Sequence, residues 1–120
     1  MNETALYVAQ DFARRAQVFA SIWEQIGYPI RFHDYYRGPK EQNEAYARGA
    51  SRARYGESPH NFYLAVDYHF DKYGWNVPKE FWEYGDKIAR YVGLESGIGY
   101  GDANHIQLSG WKQWKPYFLV

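Results

Sequence analysis

Hydrophobic positions recur at near-helical spacing from about Thr4 to about Ile26. Leu6, Phe12, Phe19, Ile22, Trp23 and Ile26 form one stripe, which predicts a long amphipathic helix. Thr4 is a candidate cap for a slightly shorter helix, and Gly27 stops it. Pro29 then forces the chain to extend. Ile30, Phe32 and Tyr35 suggest a short strand. Gly38-Pro39 reads as a turn whose proline opens a second helix, from about Pro39 to about Arg48, closed by Gly49. Residues 50–59 show no period and read as a loop.

From Phe62 to Phe70 the period changes to two. Phe62, Leu64, Val66, Tyr68 and Phe70 fall on one face of a strand, and Tyr63, Ala65, Asp67 and His69 on the other. Residues 71–77 are a turn-rich connection. A third helix is predicted from Pro78 to about Val92, carrying Phe81, Trp82, Ile88 and Tyr91 and stopped by Gly93. Gly97, Gly99 and Gly101 make a flexible approach to Asp102. His105 to Leu108 reads as a short strand with Ile106 and Leu108 inward, and His105 and Gln107 on the opposite face. The whole is an α+β pattern: about three helices packed on a small, mainly antiparallel sheet, in one domain of 120 residues.

Composition narrows the chemistry. Fourteen basic and fourteen acidic side chains cancel, and neither half of the chain has a field of one sign. A nucleic-acid partner or an anionic membrane surface is therefore not expected. No apolar stretch approaches the roughly 20 residues of a membrane span. The N-terminus has no basic segment leading into an apolar run, so no signal peptide is expected. The chain holds no cysteine, which excludes disulfides and thiolate-bound metal. Any metal must be held by His, Asp or Glu. The thirteen tyrosines and five tryptophans are expected in the core and on the sheet, with some lining a cleft.

Those ligand types occur in a suggestive order. His60 enters the predicted strand, Asp67 sits within it, and His105 lies on the last strand with Asp102 three residues earlier. Two histidines and a carboxylate leave the fourth position of a tetrahedral zinc ion open for water, and a further carboxylate can take a proton from that water. Asp67 stands among Val66, Tyr68 and Phe70, where a bare carboxylate is costly to bury and needs a compensating partner. The small Ala65 beside it on the same face leaves room for an ion. Each residue alone has an ordinary explanation: Asp67 as the partner of an arginine, the histidines as polar residues, Asp102 as a turn residue after glycine. Their coincidence favours a metal site. His69 shares the face of Asp67 and is either a ligand or a neighbour at the site edge, while His33 beside Asp34 reads as structural. Arg37 is placed to hold a carbonyl oxygen or a substrate carboxylate, or else to pair with Glu41 at the surface. Arg48, Arg52 and Arg54 form a local basic patch near His60.

The segment Ser58-Pro59-His60-Asn61-Phe62-Tyr63-Leu64-Ala65-Val66-Asp67, followed by Asp102-Ala103-Asn104-His105, resembles the S-x-H-x-x-G-x-A-x-D and D/E-x-x-H signatures of the zinc peptidases. That family includes VanY-type D-Ala-D-Ala carboxypeptidases and phage L-alanyl-D-glutamate endopeptidases. Tyr36-Arg37-Gly38-Pro39-Lys40-Glu41-Gln42 resembles its Y-R…Q segment, so the match spans about Phe32 to Leu108. The resemblance implies a hedgehog/DD-peptidase-like fold and one zinc ion per chain, bound by His60, Asp67 and His105. It implies Asp102 as catalytic base and Arg37 as the oxyanion-stabilising group. Ser58, Gln42, Gln107 and His69 become supporting or substrate-facing residues. The substrate would be the peptidoglycan stem peptide, and a monomer is expected.

Aspartate rather than glutamate at the base position resembles the endopeptidase branch, which includes bacteriophage endolysins without signal peptides. Tyr63 stands where the signature has glycine, and the segment before Asp102 is short and lacks the family's tryptophan. No separate wall-binding module is expected. Three other readings are a D-Ala-D-Ala carboxypeptidase, a non-catalytic phage or wall-binding domain that keeps the metal, and a non-haem iron oxygenase. The helix content argues against the all-β scaffold usual for the last.

Overall fold

A computed structural model describes residues 2–119. The first stripe forms α1, Glu3–Gln25. Its cap is Asn2, whose Oδ1 accepts from the Ala5 N–H at 2.8 Å, rather than Thr4. The buried stripe is Ala5, Val8, Ala9, Phe12, Ala16, Phe19 and Trp23. Leu6 and Ile26, expected to face inward, lie about half exposed. Small alanines at Ala5, Ala9 and Ala16 let the helix pack closely.

The remaining elements are β1 (Ile30–His33), α2 (Pro39–Ala47), a 3₁₀ turn (Pro59–Phe62), β2 (Ala65–Phe70), α3 (Lys79–Tyr91), β3 (Leu94–Gly97), a 3₁₀ turn (Ile98–Tyr100), β4 (Asp102–Leu108), a 3₁₀ turn (Trp111–Gln113) and a single-turn α4 (Lys115–Phe118). Several differ from expectation. Tyr35 lies beyond β1, and residues 62–64 precede β2. The glycine-rich segment before Asp102 is built, not loose: Leu94–Gly97 pairs with β4 as an edge strand. Gly97 is there because an added Cβ would collide with the Asp102 carbonyl oxygen. Tyr91, expected on the inner face of α3, is the most exposed tyrosine.

The four strands lie in the order β1-β2-β4-β3, and every pairing is antiparallel. One face of the sheet presents Val66, Tyr68, Phe70, Ile106 and Leu108 to the core shared with α1 and α3. Trp23 meets Phe70 edge-on at 4.9 Å and Phe19 meets Tyr68 at 5.1 Å. Each such side chain contributes about 1.5–3 kcal/mol by leaving water. Because side chains alternate, the same strands turn Asp67, His69, His105 and Gln107 to the opposite face. The registers then line them up across the sheet. His33, Asp67 and His105 form one row, and Glu95, Gln107 and Ala65 form the next.

Candidate metal centre

Asp67 and His105 are direct cross-strand partners. His60 comes from the 3₁₀ turn just before β2. Ser58 caps that turn: its Oγ accepts from the His60 N–H at 3.2 Å, and the Asn61 side chain bonds back to the Ser58 N–H to complete a capping box. Tyr63 ends the turn in the left-handed conformation, at φ 60°. A glycine adopts this geometry at no steric cost. The tyrosine holds it while stacking on Tyr36 at 4.3 Å.

The three ligand atoms form a nearly equilateral triangle. His60 Nε2 lies 3.2 Å from His105 Nδ1 and 3.3 Å from Asp67 Oδ1, and His105 Nδ1 lies 3.1 Å from Asp67 Oδ1. A tetrahedral ion with bonds of about 2.0–2.1 Å sets its ligands about 3.3 Å apart, so this donor set fits zinc.

The outer nitrogens reinforce that fit. His60 Nδ1 faces the Tyr35 carbonyl oxygen at 3.3 Å, which can only accept. His105 Nε2 faces Gln107 Oε1 at 2.7 Å, and the Gln107 amide is oriented by donating from Nε2 to Glu95 at 2.7 Å. Each ring therefore carries its proton on the far nitrogen and turns a lone pair inward. Two lone pairs and a carboxylate at this spacing repel one another unless a cation or a proton lies among them.

A proton on His105 relieves that repulsion as well. Burial disfavours the His105 imidazolium, but hydrogen bonds to Asp67 and Gln107 and the nearby charges of Asp67 and Asp102 outweigh it and raise the His105 pKa. Burial likewise opposes the Asp67 carboxylate, yet its close contacts with His105 and His60 hold its pKa well below the usual carboxylate range.

The triangle opens into a cleft of about 550 Å³ lined by Arg37, Arg52, Tyr100, Asp102 and Lys112 among others. Asp102 Oδ2 lies 4.0 Å from His105 Nδ1, with the carboxylate half exposed to the cleft. Arg37 is held from behind. Its Nη1 donates to Gln42 Oε1 at 3.2 Å, and its backbone carbonyl accepts from Asn61 at 2.9 Å. Among the described residues it makes no ion pair with Glu41. Gln42 is fully buried and also donates to Ser51 Oγ at 3.0 Å and the Ala53 carbonyl at 2.6 Å. Of the arginine patch, Arg52 reaches the cleft, whereas Arg54 turns away to lie over the Tyr46 ring at 4.8 Å. A second cavity of about 540 Å³, between the start of α1 and Leu108–Trp114, is lined by no histidine and no metal-ligand cluster among the described residues.

No family model and no curated protein sequence matches the chain. Solved structures do. One is a variant of the vancomycin resistance D,D-pentapeptidase VanY from a VanB-type cassette, in complex with Zn(II). It is 16% identical with a TM-score of 0.63, over 91% of this chain and 76% of that one. Another is the LdcB LD-carboxypeptidase, 21% identical with a TM-score of 0.61, over 97% of this chain and 71% of that one. This chain has their fold. The resemblance read from the motifs thus holds at the level of architecture.

The fold brings His60, Asp67, His105, Asp102, Arg37, Ser58 and Gln107 to one cleft wall, with Gln42 beneath it. His69 does not join the triangle; its Nδ1 meets His33 Nδ1 at 3.1 Å. Sequence reasoning missed Asn61, Glu95 and Tyr100. Asn61 had a local signal, the capping-box spacing from Ser58. Glu95 had none, because its role depends on the β3–β4 register. Tyr100 stands beside Asp102, where burial and the charges of Asp102, Glu95 and Asp67 raise its pKa, so it remains a neutral donor.

Proposed function

We propose that the protein is a zinc-dependent peptidoglycan peptidase acting on the stem peptide. The observation that carries this reading is the triangle of His60 Nε2, Asp67 Oδ1 and His105 Nδ1, with sides of 3.1–3.3 Å and both outer ring nitrogens committed to acceptors. Zinc held there would supply the Lewis acidity that amide hydrolysis needs. The rest falls to side chains of this chain. Asp102 takes a proton from the attacking water and returns it to the leaving amine. Arg37, anchored by Gln42, donates to the oxygen on which charge develops. Gln107 and Tyr35 hold the two imidazoles in the ligating tautomer. One structural neighbour is named a D,D-pentapeptidase and the other an LD-carboxypeptidase that recognises peptidoglycan, which agrees with this choice of substrate.

The bond we favour is that between L-alanine and D-glutamate, as in the phage endolysins the aspartate base resembles. A stem-peptide glutamate carries a free carboxylate, and Arg37, Arg52 and Lys112 give the cleft a cationic lining to receive it. The same cations suit the terminal carboxylate of a D-Ala-D-Ala carboxypeptidase substrate, which keeps that second reading in play. Digesting purified peptidoglycan and identifying the new termini by mass spectrometry separates them. New N-terminal D-glutamate is expected. Free D-alanine without it would overturn the endopeptidase assignment, and no new terminus at all in zinc-loaded protein would overturn the peptidase.

A further inference from the structure

Asp67 has ligand-type neighbours on both sides. Across β4 it meets His105. Across β1 it is the direct cross-strand partner of His33. A ring nitrogen of His33 and carboxylate oxygens of Asp34 and Asp67 all lie within 4.8 Å of one another. Asp67 meets both His60 and His105 through Oδ1, so neither of those contacts uses its second oxygen.

Three features set this group apart from a solvated polar edge. Among the described residues, no lysine or arginine pairs with Asp34 or Asp67, so two neighbouring carboxylates have no cationic side chain but histidine to offset them. His33 Nδ1 meets His69 Nδ1 at 3.1 Å, which leaves His33 Nε2 free to face a ligand. Trp75 packs against both rings, at 5.7 Å from His33 and 5.0 Å from His69, and shields the pair from one side. Asp34 itself holds a left-handed backbone, φ 50°, which turns the chain sharply just after the end of β1.

We propose that His33, Asp34 and the second oxygen of Asp67 bind a second divalent first-row metal ion, bridged to the first through the Asp67 carboxylate. His69 acts as the positioning residue for His33. One imidazole and two carboxylates favour zinc or manganese, and the more open, oxygen-rich site binds more weakly than the His60–Asp67–His105 centre. This goes beyond the peptidase reading and does not require it, since the site is defined by binding alone.

The test is a titration of metal-free protein with Zn²⁺, with bound metal counted by elemental analysis and affinities followed by calorimetry. The parent should take up two equivalents, one tight and one weaker. His33→Ala and Asp34→Gly should take up one, with the tight affinity unchanged. Glycine accepts the left-handed backbone at residue 34 without strain, and the retained tight equivalent shows that the fold persists. His69→Ala should weaken the second equivalent roughly 10–100-fold and leave the first alone. A parent that saturates at one equivalent, at zinc concentrations well above those that fill the first site, would overturn the proposal. So would two equivalents in both His33→Ala and Asp34→Gly. His105→Ala reports on the other centre: it should abolish the tight equivalent, and if it does not, the first-site assignment fails whatever His33 and Asp34 show.

Discussion

Replacing Gln107 with leucine removes the acceptor that faces His105 Nε2 while keeping similar bulk. The contact is short, 2.7 Å, and His105 is buried, so its N–H is left without a partner where water reaches poorly. A neutral hydrogen bond contributes about 0.5–1.5 kcal/mol net, and stranding a buried donor costs about 1–3 kcal/mol. The ring escapes part of that cost by moving its proton to Nδ1. That nitrogen is the one facing Asp67 and His60, so the escape removes it as a ligand. About 1.5–3 kcal/mol of zinc binding should be lost, which is roughly 10–100-fold in affinity. Competition against a chromophoric chelator at constant pH reads this directly. Glu95→Ala should have a smaller effect of the same sign, because it only frees the Gln107 amide to turn. Zinc affinity within about threefold of the parent in Gln107→Leu would refute the tautomer argument.

Three further outcomes are expected. Asp102→Asn should keep the fold and the zinc but lose about 10²–10⁴ in turnover on peptidoglycan; activity within a few-fold of the parent would remove Asp102 as the base. In metal-free protein the raised His105 pKa means that proton-linked stability is complete below about 6.5 and is lost as pH rises through the folded value. Zinc must displace the proton of the charged His105, so the affinity seen by titration should climb up to about tenfold per pH unit below the folded value and level off above it; a profile that already levels off at or below 6.5 would contradict the raised pKa. Tyr68 Oη is buried without a hydrogen-bond partner and sits where a Cβ on Gly85 would go. Gly85→Ala should therefore cost about 1–3 kcal/mol in denaturant unfolding, Tyr68→Phe should be neutral or stabilising, and the double variant should recover most of the loss; strict additivity would count against the contact.

Much of the centre was legible along the chain because alternation is a local property. A period of two through residues 65–70 and again through residues 105–108 sends Tyr68 and Ile106 to the core, and Asp67 and His105 to the other face, wherever those strands pair. The capping box at Ser58 likewise reads from four consecutive residues. What local pattern does not carry is register and order. Only the antiparallel arrangement β1-β2-β4-β3 sets His105 opposite Asp67 and brings His33 to its other side. Leu94–Gly97 is short and glycine-containing, and it becomes a strand only because β4 supplies its hydrogen bonds. That pairing in turn delivers Glu95 to Gln107 and so fixes the proton on His105. Gln42 reads as an ordinary polar helix residue until the loop at residues 51–53 and Arg37 close over it. Periodicity is set by neighbours in the chain, so the sequence alone determined which side chains face away from the core. The ligand spacing, the tautomers and the anchoring of Arg37 depend on contacts between residues far apart in sequence, and those exist only once the sheet has assembled.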